Sequence, residues 1–199
     1  KDRDAEEKPT VDRTSYVGWN SLTAGAFIKS YGVLGSASNL RVASEVLELL
    51  WADSWDAELG FRHEIGVPGE QPRLLEDQVM FLRASLDLHQ ATGEGRHLQR
   101  AVDVARSIHH LFSAGEGGYY DVAAGDATLA GVRLGRERPV LENALLAEGL
   151  AVLGCLTGDE KYQKQASEAL EIFESIVPGS SYLGPRESRH VEEDEERLF

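Results

Sequence analysis

The sequence is first informative for what it lacks. Among its 199 residues there is one cysteine, Cys155, so no intramolecular disulfide can form. That thiol sits in the apolar run from Leu150 to Leu156 and reads as buried and unreactive, with no neighbouring base in sequence. No His-Glu-x-x-His pattern and no set of cysteine ligands is present, so neither a metal nor another cofactor is expected. No glycine-rich phosphate loop precedes a helix, and no Ser–His–Asp order can be argued. No uninterrupted apolar run reaches the roughly 18–20 residues of a membrane span. The charged stretch from Lys1 to Pro9 lacks an apolar signal core. Lysine is scarce, with 5 Lys against 15 Arg, and acids dominate to a net charge of −14. A phosphate-tracking surface must be basic, so nucleic acid is not an expected partner. Anionic membranes are disfavoured for the same reason. A cytoplasmic location is the expectation. An acidic, lysine-poor surface also suits concentrated salt, where screening removes self-repulsion. A salt-adapted source and an ordinary acidic protein with arginine-biased codons are the two readings of that composition.

What is present is an internal repeat. Three segments align: Trp19-Asn20 through Gly35 to Trp51, Glu76-Asp77 through Gly93 to Phe112, and Glu142-Asn143 through Gly158 to Val177. The distances from Asn20 to Gly35 and from Asn143 to Gly158 are equal, and that from Asp77 to Gly93 is longer by a single position. Beyond the glycine the register holds without gaps. Ala43, Ala101 and Ala166 stand at one matching position, and Leu50, Ile108 and Phe173 at another.

Each copy reads as two helices. In the second of a pair the apolar residues recur at steps of three and four, as in Leu98, Val102, Ala105, Ile108 and Phe112, or Tyr162, Ala166, Ala169, Phe173 and Ile176. Glu168, Glu171 and Glu174 occupy the opposite face, so these are outer, half-exposed helices. The first helix is apolar around most of its circumference, as Leu145, Leu146, Leu150, Val152, Leu153 and Leu156 illustrate, and is expected inside. Gly35, Gly93 and Gly158 close the inner helices, and Asp159 caps the next outer one. Between the pairs lie Leu59-Gly60-Phe61-Arg62-His63, Gly117 to Asp121 followed by Thr128 to Arg133, and Gly179 to Leu183. These read as small β-hairpins on one rim. A lone helical hairpin cannot bury its apolar face, so the copies stack. The predicted fold is all-α: an (α/α) toroid, or a half-toroid of three hairpins where six close the ring. Residues 1–10 are expected to be a disordered charged N-terminus, 11–184 the repeat domain and 185–199 an acidic tail.

The motifs resemble those of a known family. Val11-Asp12-Arg13 through Trp19-Asn20-Ser21-Leu22 is similar to a stretch of the thioredoxin-domain-containing family that includes spermatogenesis-associated protein 20. Leu75-Glu76-Asp77, Leu86 to Gly93, Gly117 to Asp121 and Leu156-Thr157-Gly158-Asp159 follow in the family's order. Departures occur at Ser21, at Gln78-Val79 and between Pro139 and Asn143. The resemblance covers roughly residues 10–180. It implies a helical region like that of six-hairpin glycosidases and N-acylglucosamine 2-epimerases. It also implies an N-terminal thioredoxin-like domain that this sequence does not contain, so the expectation is a fragment, a split gene product or one subunit.

Candidate chemistry gathers at the starts of the inner helices. Asn20, Asp77 and Asn143 are expected to converge on the funnel mouth with Trp19, Glu76 and Glu142; Arg62, His63, Tyr119 and Tyr120 come from the rim. Amides, carboxylates and ring faces around a concavity suit a polyol, so a sugar ligand is expected. Plain helix capping explains the same acids and amides, and Trp19, at a buried helix start, reads first as a core residue. Glu76 or Asp77 with Glu142 is the pair for glycoside hydrolysis; His63 is the base for epimerisation. The alternative is a non-catalytic scaffold that self-associates or pairs with a complementary half-toroid chain, because end hairpins would leave apolar faces open.

Overall fold

The computed structural model describes residues 11, 13–124, 128–129, 132–133 and 136–173. The expected N-terminal segment 1–10, the Gly179 to Leu183 hairpin and the 185–199 tail lie outside the described residues.

Among the described residues six helices form three antiparallel hairpins: α1 (Val17–Leu34) with α2 (Ala37–Ser54), α3 (Leu75–Thr92) with α4 (Gly95–Phe112), and α5 (Val140–Thr157) with α6 (Glu160–Leu170). The inner helices α1, α3 and α5 lie side by side, and each outer helix backs its own partner. This is the all-α hairpin array expected from the repeat. The three inner helices are equal in length, and each ends in a left-handed glycine, Gly35, Gly93 or Gly158. The glycine N–H closes on the carbonyl four positions back, which only a residue free of a Cβ adopts without strain. Asp159 caps α6 as expected, accepting from the Lys161 N–H at 3.1 Å.

The repeat is tighter than the aligned motifs imply. The step from Val17 to Leu75 equals that from Ala37 to Gly95, and the rim follows suit. The bridge Tyr16↔Glu64 recurs as Leu74↔Val122, and Trp55↔Phe61 recurs as Ser113↔Tyr119, all displaced by the same step. The third unit follows at a longer step, again shared by both of its helices: from Leu75 to Val140 and from Gly95 to Glu160. In this register the residue matching Asn20 and Asn143 is Gln78. The odd spacing assigned through Asp77 is therefore corrected, and counted from Gln78 all three copies are equal. Two polar residues stand side by side there, and residue type alone does not choose between them.

Gln78 and Asn143 tie each turn to the next inner helix. Gln78 Oε1 accepts the Phe61 N–H at 2.9 Å, and its Nε2 donates to the carbonyls of Phe61 and Leu74. Asn143 Oδ1 accepts the Tyr119 N–H at 2.7 Å, and its Nδ2 donates to Tyr119 and Pro139. Both side chains are fully buried with donors and acceptors used. Asn20 repeats the last contact alone, to the Tyr16 carbonyl.

Of the rim elements, β1 (Trp55–Asp56) pairs with β2 (Gly60–Phe61), and β3 (Thr128–Leu129) with β4 (Val132–Arg133). Gly117 to Asp121 forms a single-bridge turn in place of the expected hairpin. The core joins the inner and outer helices through Val17, Ile28, Leu47, Leu50, Phe81, Leu88, Ile108, Phe112, Leu146 and Leu150, with Phe61 and Tyr119 sealing the rim end. Two burial expectations fail. Cys155 is exposed, its thiol 3.9 Å from Gln163 Nε2. Trp19 is 61% exposed instead of lying in the core. Both stand on inner helices that, among the described residues, pack against another inner helix on one side only.

Candidate functional site

Helix capping does not account for the polar residues at the inner-helix starts. The N-cap positions are Tyr16, Leu74 and Pro139, none of which caps through a side chain. The candidate residues sit further inside the first turn, where side chains reach other segments.

His63 is delivered by the stretch after β2, which runs antiparallel to the entry of α1. Val17 N–H donates to the His63 carbonyl at 3.0 Å and Ile65 N–H to the Ser15 carbonyl at 2.9 Å. This lays the imidazole over the Tyr16 ring, centroids 4.5 Å apart and stacked, with Trp19 edge-on to Tyr16 at 5.1 Å. On its other side His63 Nδ1 meets Asp77 Oδ2 at 2.9 Å. The second oxygen, Oδ1, accepts the Gly18 N–H at 2.7 Å. A Cβ at residue 18 would stand 2.9 Å from that oxygen, so the approach of α1 to α3 requires glycine here.

The electrostatics follow from this packing. Hydrogen bonding to Asp77 raises the His63 pKa above the ordinary histidine value. Asp77 is wholly buried, and burial raises its carboxyl more than His63 and the Gly18 amide draw it down. Together the pair keeps a proton to higher pH than a free imidazole would. Glu76 is also pushed up, first by burial and then by the charges of Asp77 and Glu142. Among the described residues nothing bonds the far imidazole nitrogen, Nε2.

His63, Glu76, Asp77, Glu142 and Trp19 thus gather at one end of the inner helices. Asp77 is reached only through His63 and Gly18, since both its oxygens are engaged and it is buried. The other residues do not join. Arg62 turns to the Asp53 carbonyl and lies 3.8 Å from the Asp53 carboxylate. Tyr119 is buried, with its hydroxyl 3.3 Å from His109 Nδ1 on the outer helix. Asn143 has no polar atom left for a ligand, and Asn20 is tied to Tyr16. Tyr120 carries the Arg136 guanidinium on its ring at 4.0 Å. Tyr16 is the residue the sequence reading missed; its signal was its place just before Trp19, at the helix entry. Cavities elsewhere among the described residues lie apart from this cluster. One of about 640 Å³ sits against α4, lined by Trp55, Glu58, Arg106 and His110. Another of about 140 Å³ lies between α1 and α3, lined by Leu22, Lys29, Met80 and Asp87. Among the described residues no cluster of three or more His, Cys, Asp or Glu could hold a metal ion.

No protein-family model and no curated protein matches the sequence. Solved structures do. A GH76 α-mannanase of Bacteroides thetaiotaomicron superposes with a TM-score of 0.69 at 18% identity, covering 86% of this chain and 46% of its own. A cellobiose 2-epimerase from Spirochaeta thermophila gives 0.69 at 17% identity, over 86% and 46%. An inactive variant of an α-1,6-mannanase from Salegentibacter, bound to α-1,6-mannotriose, gives 0.67 at 14% identity, over 89% and 50%. The fold is therefore that of the (α/α)-toroid sugar hydrolases and epimerases, and the chain spans about half the length of these structures.

Proposed function

We propose that the rim at the starts of α1, α3 and α5 binds a sugar, and that His63 and Glu76 exchange protons with it in an isomerase-like reaction. The observation that carries this reading is the His63–Asp77 contact at 2.9 Å beside the exposed ring of Trp19. Asp77 fixes the imidazole by Nδ1 and leaves Nε2 for a substrate proton. Its burial and its bond to Gly18 make it a positioning residue, not a group that touches the sugar. Glu76, whose carboxyl is pushed up by burial and by neighbouring carboxylates, supplies the complementary acid. The Trp19 face offers a platform for sugar C–H groups.

Support comes from the solved structures, whose names are those of sugar-processing enzymes. The Salegentibacter mannanase variant is described as inactive with two adjacent aspartates changed to asparagine. Glu76 and Asp77 are likewise adjacent acids. A second reading, glycoside hydrolysis, is favoured by Glu76 and Glu142: the Glu142 charge is close enough to raise Glu76, and hydrolysis needs two carboxyl groups about one bond. At finer grain we place the chain in the helical region of the thioredoxin-domain-containing family, on the motifs quoted above.

The test is a thermal-shift series with mannose, α-1,6-mannotriose and cellobiose, followed by product analysis in deuterium oxide. Stabilisation by one sugar is expected. Solvent deuterium in the product marks isomerisation, and new reducing ends mark hydrolysis. His63→Gln and Glu76→Gln should each abolish turnover while the helical circular dichroism is unchanged. If no sugar shifts the melting temperature and no product forms, the reading fails.

A further inference from the structure

We infer that the outer cleft between the β1–β2 hairpin and α4 holds a neutral oligosaccharide, at a site separate from the rim cluster. The inference does not rest on the reaction proposed for the rim.

The cleft exists because the hairpin is pressed onto the helices behind it. Gly60 has a left-handed φ of 75°. A Cβ there would stand 2.9 Å from Gln78 Oε1 and 3.0 Å from Ser107 Oγ, so the approach requires glycine. The turn before it is pinned by Asp56, whose Oδ1 accepts the Glu58 and Leu59 N–H groups at 2.8 and 2.9 Å. On α4, Asp103, Arg106, Ser107 and His110 are spaced by threes and fours and so share one stripe. With Trp55 and Glu58 they line about 640 Å³, a volume within the range of small-ligand sites.

The lining suits a sugar. Trp55 is fixed by packing: its ring stacks on Trp51 at 4.7 Å and lies 4.9 Å from Phe61. A ring held in this way loses little freedom when a ligand covers it, and its apolar face takes sugar C–H groups. Arg106 Nη1 donates to Asp103 Oδ1 at 3.3 Å, and both side chains keep a solvent-facing part. A carboxylate and a guanidinium side by side accept from one hydroxyl and donate to its neighbour. Ser107 is buried in the wall with a hydroxyl that has no partner among the described residues. Glu58 and Asp103 outnumber Arg106, which disfavours an anionic ligand.

The repeat supplies a control. One unit on lies a smaller cleft of about 310 Å³. There Ser113, Gly115, Glu168 and Glu171 hold the places of Trp55, Ala57, Asp103 and Arg106, at the same steps that relate the helices. The array thus hollows this position in both units, and of the two clefts only the first carries an indole and a guanidinium. The fold makes the hollow; its side chains make it a site.

The experiment is native electrophoresis of the full chain in gels containing α-mannan, β-glucan, glucomannan or xylan, with polygalacturonate as the anionic counterpart. A Trp19→Ala, Glu76→Gln variant removes the rim contacts. Retardation by at least one neutral polysaccharide should persist in that background. Adding Trp55→Ser and Arg106→Glu gives the first cleft the side chains of the second, and should weaken binding about tenfold or more. Arg106→Glu alone alters an exposed side chain, so the fold is kept and binding should still weaken. Helical circular dichroism checks each variant, and if the double substitution unfolds the chain, Arg106→Glu decides. No retardation by any neutral polysaccharide would overturn the inference, as would retardation by polygalacturonate alone. Loss of binding in the rim variant would place the sugar at the rim instead. Folded cleft variants that bind as tightly as the unaltered chain would equally overturn it.

Discussion

Gln78 and Asp77 are adjacent on α3 and do different work. Gln78, like Asn143 one unit later, uses its whole amide on backbone: one N–H accepted and two carbonyls satisfied. Asp77 divides its oxygens between the Gly18 amide and a titratable ring. The first pattern recurs because every hairpin needs its turn pinned. The second occurs once among the described residues, because Glu142 and Trp19 hold the matching positions elsewhere. A repeated polar contact marks architecture; the one that breaks the repeat is where the proposed chemistry sits.

Substitutions can break that contrast, and the largest effect belongs to the pins. Asn143→Leu strands the N–H and carbonyl of buried Tyr119, each costing about 1–3 kcal/mol when left unpaired. Urea denaturation should show a loss of about 3 kcal/mol or more, with Gln78→Leu close behind. Gly18→Ala comes next: its Cβ would press on Asp77 Oδ1, with an expected loss of about 1–3 kcal/mol by the same assay. A smaller effect is read in pH. His63 has its pKa raised in the fold, so its contribution is fully present below the unfolded value of about 6.5. It is lost as pH rises through the higher folded value. Melting temperature should fall across that window, and His63→Gln should flatten the slope. The smallest effect is Trp19→Ala, expected within about 0.5 kcal/mol for an exposed side chain. A large loss would show that Trp19 supports the fold.

The hairpins were legible because their signals are local. Gly35, Gly93 and Gly158 end helices where a left-handed residue is needed, and Asp159 caps through its own neighbour. The site was legible only in part. Glu76, Asp77 and His63 share a cluster because the loop after β2 folds back on α3, which no periodicity encodes. Asn143 and Tyr119 looked like ligand groups because residue type suggests a donor or acceptor, and only the folded arrangement reveals where it is used. Arg62 was read with His63 by adjacency, yet successive residues of an extended stretch point opposite ways. Cys155 and Trp19 were misjudged because an apolar helix implies burial only where a neighbour exists on each side.

The step shared by helices and rim from the first unit to the second makes that unit transferable. Excising the block from Val17 to Leu74 would join Tyr16 directly to Leu75, giving the shortened chain a helix entry of the same kind at the same place in its frame. A duplication of that block would lengthen the array equally cleanly. Stability in such an array is a sum of unit and neighbour terms, so whole units can be added or removed without renegotiating the rest. The length of the array is then an arithmetic property of how many units are strung together.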